Sequence, residues 1–171
     1  MASTAINALD LLKADHREVE KLFAEFDEAE GDTTEQAAIA SRIGQALSIH
    51  AELEEAILYP RIMKPLGDDA DLVCEATVEH GTLHGLIADM NGKDPSDPMV
   101  KAHVVVLKEY VKHHVREEEN ELFPKVEKTG LDLEAIGEEI LALKRALQAQ
   151  VGRRANGGGA KIHVTEVHAA A

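Results

Sequence analysis

The sequence predicts an all-α protein, an up-down-up-down four-helix bundle with an additional C-terminal helix and a flexible tail. Hydrophobic residues make up 44% of the 171 residues but aromatic residues only 3%, so the core must be aliphatic. Glycine and proline are sparse before roughly the last twenty residues, which argues against many short strands joined by tight turns. Apolar residues recur every three or four positions over four long stretches, the period of helices that bury one face.

The first two predicted helices carry polar residues within their apolar stripes. The first spans about residues 4–30, and His16 fills a gap in its stripe. The second begins near residue 33 and ends near residue 60 or one turn later, and His50 and Glu54 interrupt its stripe. Both helices therefore direct ionisable side chains into the predicted core.

The third and fourth predicted helices repeat this arrangement. The third spans about residues 69–90 and presents His80 and His84 together with its apolar residues. The loop at 91–98 is rich in turn-forming residues, and the fourth helix follows at about 99–128 with His114 and Glu118 on its inner side.

The chain after residue 130 is predicted to lie outside the bundle. Residues 131–151 form an additional helix with an apolar stripe, and residues 152–171 form a glycine-rich flexible tail. The two tail histidines, His163 and His168, are assigned no function.

Length and charge exclude several classes of protein. A chain of 171 residues is long enough for one domain with a sizeable core, and too short for two of ordinary size. The formal net charge of −14 disfavours nucleic acid and anionic membranes as partners. The first residues do not resemble a signal peptide, and no run is long and apolar enough to span a membrane, so we expect a cytoplasmic protein. Cys74 is the single cysteine and is predicted to be buried among apolar neighbours.

An internal repeat relates the second and fourth helices. The pattern His-x-x-x-Glu-Glu-x-x-Leu-aromatic-Pro occurs at residues 50–60 and again at 114–124, an offset of 64 residues. The repeat indicates that one two-helix unit is used twice.

The ionisable residues pair at a spacing of four and share one level of the bundle. Residues i and i+4 lie one turn apart on the same side of a helix, so both can bind one object. In alternating helices, positions near the helix midpoints meet at a common height. The resulting set is His16, His50, Glu54, His80, His84, His114 and Glu118.

Burying seven such groups without partners would cost several kcal/mol for each charge, whereas bound metal ions would satisfy them. Five imidazoles and two carboxylates are too many for one tetrahedral zinc and too rich in nitrogen for calcium or magnesium. The set suits two ions bridged by the glutamates, with iron the best match and manganese or a mixed pair behind it. A polar core without metal is the remaining alternative.

The order His, His-x-x-x-Glu, His-x-x-x-His, His-x-x-x-Glu resembles the hemerythrin family, specifically its bacterial HHE cation-binding domains, over about residues 5–128 and hence the domain at 1–130. The resemblance implies a di-iron centre bridged by an oxo or hydroxo group. It implies that His80, His84 and His114 hold one iron, that His16 and His50 hold the other, and that Glu54 and Glu118 bridge them. The iron with two histidines would keep an open position for dioxygen or peroxide.

Two questions about the predicted centre stay open: which glutamate of the fourth helix is the ligand, and what Tyr110 does. Oxygen-carrying members resemble His-x-x-x-x-Asp in the fourth helix, whereas this chain has both Glu118 and Glu119 there, and Glu118 is favoured because it matches Glu54 in the repeat. Tyr110 lies one turn before His114 and is considered as a hydroxyl donor to a bound peroxide, or as a tyrosine with its hydroxyl at the rim.

The predicted function is dioxygen binding at a di-iron centre, for storage, delivery or sensing. The alternatives are a di-iron redox enzyme that acts on peroxide or nitric oxide, and a protein that holds and releases iron. A helical interaction protein with a polar core, without metal, is the non-metal alternative.

Overall fold

The structure is a computed structural model that describes residues 6–156, and it confirms the predicted all-α bundle. Four helical rods form the bundle. They are α1 (Ala8–Glu28), α2 (Thr33–Leu53) continued by α3 (Tyr59–Leu66), α4 (Asp71–Met90), and α5 (Pro98–Glu117) continued by α6 (Phe123–Val126). Short 3₁₀ turns at Gly67–Ala70 and Glu127–Thr129 end the second and fourth rods. A further helix, α7 (Leu133–Asn156), packs along the outside against α1 and α2.

Three rods begin at side-chain caps that satisfy the first free backbone N–H groups. The side chain of Asn7 accepts a hydrogen bond from the backbone of Leu9 at 2.9 Å, and Asp32 and Asp97 cap α2 and α5 in the same way. Helix α1 therefore begins at Ala8, later than the sequence predicted.

The second and fourth rods each contain one turn of π-helix, which the sequence analysis did not anticipate. These turns span Glu54–Leu58 and Glu118–Leu122, and each begins at a buried glutamate. An aromatic residue and a proline follow each turn, at Pro60 and Pro124. Because proline has no N–H and its ring crowds the preceding turn, regular α-helical bonding is disturbed just before it. Such π-turns frequently occur at functional sites.

The apolar core is divided into two clusters by a layer of polar side chains. One cluster contains the second half of α1, the first half of α2, the second half of α4 and most of α5. The other cluster contains the first half of α1, the first half of α4, and α3, α6 and α7. Each cluster joins opposite halves of neighbouring rods, as the predicted up-down alternation requires.

Helix α7 is fixed to the bundle by close backbone packing and by an ion pair. A Cβ atom at Gly137 would lie 1.9 Å from the carbonyl oxygen of Ile6, so the beginning of the described chain can cross α7 only at a glycine. Lys144 of α7 forms an ion pair with the buried Asp15 of α1. Helix α7 extends to Asn156, five residues beyond the predicted end at 151, and the remainder of the predicted tail lies outside the described residues.

Two further observations bear on the sequence predictions. Cys74 is exposed, so the prediction of a buried thiol is wrong. It lies on α4 beside the buried Val73 but is turned about 100° away from the face that Val73 and Ala76 present to the core. Within residues 6–156, no helix is both long enough and apolar enough to cross a membrane.

Candidate metal centre

The polar layer between the two core clusters contains six side chains from all four rods. The four histidines come from near the middle of the four rods, with His50 and His114 in the last turns of α2 and α5, and the two carboxylates come from the first residue of each π-turn. All six are buried: His16, His50, Glu54, His80, His114 and Glu118.

The four histidines form two pairs, and each pair faces one of two adjacent positions. At the first, the Nε2 atoms of His16 and His50 are 3.2 Å apart, and Nε2 of His50 lies 3.3 Å from Oε2 of Glu54. At the second, the Nε2 atoms of His80 and His114 are 3.2 Å apart, and Nε2 of His80 lies 3.3 Å from the same oxygen of Glu54. Glu54 therefore lies between the two histidine pairs.

Glu118 also connects the two histidine pairs. Its Oε2 atom lies 3.3 Å from Nε2 of His16 and 3.4 Å from Nε2 of His114. Each carboxylate thus faces one histidine from each pair. The geometry provides two adjacent cation positions, each with two imidazole nitrogens, and two carboxylates shared between them.

One oxygen of each layer carboxylate lacks a hydrogen-bond partner. Among the residues that the structure describes, Oε1 of Glu54 and Oε2 of Glu118 are buried and make no hydrogen bond. Burying a carboxylate oxygen without a partner is costly, and a cation removes that cost. Imidazole nitrogen with carboxylate oxygen suits a first-row transition metal. The residues present therefore fit a pair of metal ions.

A second set of carboxylates orients the histidine rings. The Nδ1–H groups of three rings donate to carboxylates on neighbouring rods: His16 to Glu119 (2.7 Å), His80 to Glu55 (2.9 Å) and His114 to Glu79 (2.7 Å). A proton on Nδ1 leaves Nε2 of the neutral ring free to bind metal, and it holds the ring toward the layer.

The fourth ring, His50, has a weaker arrangement. Its Nδ1 atom lies 3.8 Å from Oδ2 of Asp15, too long for a hydrogen bond but close enough for charge attraction. Lys144 pairs with the other oxygen of Asp15. Burial raises the pKa of Asp15, but the positive charges of His50 and Lys144 outweigh it and lower that pKa below its usual value.

These orienting carboxylates follow the internal repeat, and the sequence analysis did not identify them. Glu55 and Glu119 come directly after the two layer glutamates, whereas Asp15 and Glu79 come directly before a layer histidine. Both pairs are separated by the same 64 residues as the repeat. The adjacency of an acid to a predicted ligand was the available signal.

The two adjacent glutamates of the fourth rod occupy different places. The structure places Glu118 in the layer and Glu119 outside it, where Glu119 accepts from Nδ1 of His16 and pairs with Arg17. Burial raises the pKa of Glu119, but His16 and Arg17 outweigh it and the pKa is lowered.

A buried tyrosine completes the layer on the side of the π-turns. The hydroxyl of Tyr59 lies 3.0 Å from Oε1 of Glu118 and 3.3 Å from Oε2 of Glu54, so it can donate to either carboxylate. Burial, followed by the negative charges of Glu54 and Glu118, raises the pKa of Tyr59 well above its usual value. The repeat pattern contained this position as an aromatic residue, but its contact with the centre was not predicted.

Without bound metal, the layer carboxylates favour the protonated form of His50. Burial lowers the pKa of His50, but the carboxylates, chiefly that of Glu54, outweigh it and raise the pKa to about 10. Burial raises the pKa of Glu54, but charge attraction and a hydrogen bond from His50, with a further contribution from His80, outweigh it and hold the pKa well below the usual range. The protonated His50 is thus a substitute for the positive charge that a metal ion would bring.

The structure places His84 and Tyr110 outside the layer. His84 is exposed, so its predicted inward position is wrong. Successive residues of α4 are rotated by about 100° around the helix axis. Seen from His80, this rotation puts the buried Leu83 and Ile87 on one side, toward the core, and His84 on the opposite side. Tyr110 is 37% exposed and lies in a surface groove between α4 and α5, so its hydroxyl is away from the layer.

Comparison with known proteins agrees with this site. The family model of the hemerythrin HHE cation-binding domain matches residues 7–126. A crystal structure of a hemerythrin HHE cation-binding domain-containing protein from Mycobacterium kansasii superposes with a TM-score of 0.74 at 23% identity, covering 91% of this chain and 95% of that chain. A protein named DNA nickase from Nostoc sp. is 30% identical over 156 residues, or 90% of this chain. This chain spans 44% of the length of that relative. With the family model matching most of its length, the chain belongs to the hemerythrin family, as a protein with an HHE cation-binding domain.

Proposed function

We propose that the chain is a di-iron protein that binds dioxygen at the layer of four histidines and two glutamates. The observation that carries this proposal is the combination of two adjacent histidine pairs with a small apolar cavity directly beside them. A pair of iron ions held there would supply the electrons that dioxygen accepts on binding.

The donor set supports iron over other common metals. The layer offers two imidazoles at each position and two carboxylates between the positions, and no thiolate contributes, since Cys74 is exposed. Mixed nitrogen and oxygen ligands that leave coordination positions open are typical of non-haem iron sites that react with oxygen. Manganese and a mixed pair stay as alternatives of the same chemical class.

The cavity beside the layer suits a small apolar ligand. The four layer histidines form one wall, and the remaining lining comes from apolar residues of the first core cluster. Those residues are Val19, Leu47, Ala51, Leu83, Val111 and Val115. The carboxylates and Tyr59 lie toward the other cluster, because the π-turns extend in that direction. Dioxygen would therefore meet the histidine side of the centre, in surroundings that exclude water.

The variant Ala51→Val tests this assignment, because the added methyl groups reduce the space beside His50 without removing a donor atom. We expect unchanged metal content but slower or weaker oxygen uptake by the reduced protein, followed by absorption spectroscopy. Ala40→Val, which is buried in the same core cluster but does not line the cavity, is the matched control and should bind oxygen like the parent protein. Unchanged oxygen binding in Ala51→Val would contradict the role of the cavity.

Peroxide turnover is a second candidate, and Tyr59 favours it. In the disproportionation of hydrogen peroxide, one molecule is reduced to water and a second is oxidised to dioxygen, so protons are moved but none is consumed overall. The hydroxyl of Tyr59 and the two carboxylates it contacts form a buried set of groups that can pass and recover a proton. Release of oxygen from added peroxide by the iron-loaded protein would favour this candidate over reversible binding.

We also propose that nucleic acid is not a partner and that the protein is cytoplasmic, as the sequence predicts. The net charge of −14 repels the phosphate backbone, although one relative is named a DNA nickase. Conversion of supercoiled plasmid to the nicked form by the metal-loaded protein, persisting when added catalase removes peroxide, would contradict the first of these proposals.

A further inference from the structure

We propose that Glu79, His113 and Glu117 form a third, surface site for a divalent cation, from which the cation passes into the buried centre. The surface site does not depend on the proposed oxygen chemistry. Its loading role rests only on the buried layer being a metal site.

The three side chains present donor atoms to one point. Nε2 of His113 lies 3.4 Å from Oε1 of Glu79 and 3.2 Å from Oε1 of Glu117, and the three donor atoms lie within 4.8 Å of one another. His113 and Glu117 are one turn apart on α5, and Glu79 reaches them from α4. One imidazole and two carboxylates leave positions open for water, as a site for a transient cation requires.

The site connects the solvent with the buried layer. The exposed side-chain fraction is 46% for His113, 28% for Glu117 and 12% for Glu79, so the donors extend from the surface inward. While Oε1 of Glu79 faces His113, its Oε2 accepts from Nδ1 of His114. A small cavity lined by Glu79, Glu117, His114 and Glu118 lies between the surface site and the centre.

The other half of the bundle shows a cation at the equivalent place. The repeat relates Glu79 to Asp15, and there Lys144 of α7 brings its ammonium group to the carboxylate. Ile49 and Leu53 occupy the positions equivalent to His113 and Glu117, so no further donors are present. In the α4–α5 half, no lysine or arginine among the described residues pairs with Glu79 or Glu117. The chain thus supplies a fixed positive charge on one half and three ligand atoms on the other.

Arg116 opposes a cation at this site. Its guanidinium donates to Nδ1 of His113 at 3.0 Å, which places the ring proton on Nε2, the atom that faces the carboxylates. A cation at Nε2 would require the proton on Nδ1 instead, so Arg116, which is exposed, would have to turn away. Removing this side chain should therefore strengthen the site.

Cobalt(II) binding to the metal-free full chain tests the proposal without iron or oxygen. We expect His113→Ala/Glu117→Gln to bind one cobalt fewer than the parent chain and to fill the buried centre about tenfold more slowly, because a charged entry site raises the local cation concentration. The histidines beyond Asn156 are the same in both proteins and cancel in this difference.

Two further variants complete the test. His103→Ala/Glu121→Gln removes the same chemical groups elsewhere on the fourth rod and should behave like the parent chain. Arg116→Gln should bind the additional cobalt more tightly. If the triad variant takes up as much cobalt as the parent at the same rate, or if Arg116→Gln binds more weakly, the proposal is overturned.

Discussion

Tyr59 and Phe123 occupy equivalent positions in the two halves of the bundle, 64 residues apart, but only Tyr59 places a hydroxyl against the layer carboxylates. The ring of Phe123 stacks on the ring of His16, with the ring centroids 6.0 Å apart and the ring planes at 4°. The ring of Tyr59 stacks in the same way near His80, at 5.6 Å and 19°. The two halves thus share ring packing and differ in one polar atom.

Replacing Tyr59 with phenylalanine should make the halves equivalent at this position. We expect Tyr59→Phe to retain both metal ions, because no ligand is lost. If the protein turns over peroxide, oxygen release should fall by about 10²-fold, the usual effect of losing a positioned proton donor. The measurement is oxygen evolution per bound iron, with the exposed Tyr110→Phe as the control. Unchanged turnover would show that the Tyr59 hydroxyl moves no proton in the reaction.

The two histidines of α4 should differ sharply in their effect on metal content. His80 lies in the layer and His84, one turn later, is exposed. We expect His80→Ala to retain at most one metal ion per chain, and His84→Ala to retain the full content, by metal analysis of the purified proteins. Metal loss in His84→Ala would mean that α4 turns on binding to bring this ring inward.

The two glutamates at the start of the second π-turn should also separate. Glu118→Gln removes a carboxylate shared between both histidine pairs and should abolish binding of two ions. Glu119→Gln leaves the layer intact but weakens the hydrogen bond that orients His16, which should lower metal affinity by about 10–100-fold. Competition with a chelator measures both. The opposite order would assign the shared position to Glu119.

The stability of the metal-free protein should fall as the pH rises from 6.5 to 10. The folded pKa of His50 is about 10, above its usual 6.5, so protonated His50 stabilises the fold fully below pH 6.5 and loses this contribution as the pH passes through 10. The pKa of Glu54 is shifted down, so its contribution is present above pH 4.5 and is lost as the pH falls. Urea unfolding at several pH values measures the effect.

The variant His50→Gln is the control for this pH dependence, because the substitution removes the titrating ring. The stability of the metal-free variant should vary much less between pH 6.5 and 10. The metal-loaded parent protein should also lack the decline, because metal replaces the proton on His50. A metal-free parent whose stability is flat or rising in this window would show that His50 is neutral in the folded state.

The sequence predicted the bundle and most of the layer because both depend on the same helical period. Histidine and glutamate at positions where the apolar stripe requires a buried residue are readily visible, as with His16 and His50. The same reasoning failed for His84, because a spacing of four gives a neighbour on the helix but does not show on which side of it the core lies. For Tyr110 it left two alternatives, and the exposed position agrees with a hydroxyl at the rim.

The orienting carboxylates and Tyr59 could not be found from helical spacing alone. Glu55 and Glu79 act on histidines of neighbouring rods, and such contacts depend on how the rods are rotated against one another. Tyr59 reaches the layer because the preceding π-turn inserts an additional residue into the helical turn, which changes the direction of every later side chain. The local signals in the sequence were the aromatic residue and the proline that end each copy of the repeat.

The most direct test of the central claim is the iron content of the purified protein, with an absorption spectrum recorded after anaerobic reduction, after aeration and after removal of oxygen. We expect about two irons per chain, one for each histidine pair, and a spectrum that changes on aeration and returns when oxygen is removed. Two irons that oxidise once and stay oxidised would contradict reversible binding and favour peroxide chemistry. A protein that takes up no iron, even when iron is supplied to the metal-free chain, would contradict the di-iron centre itself.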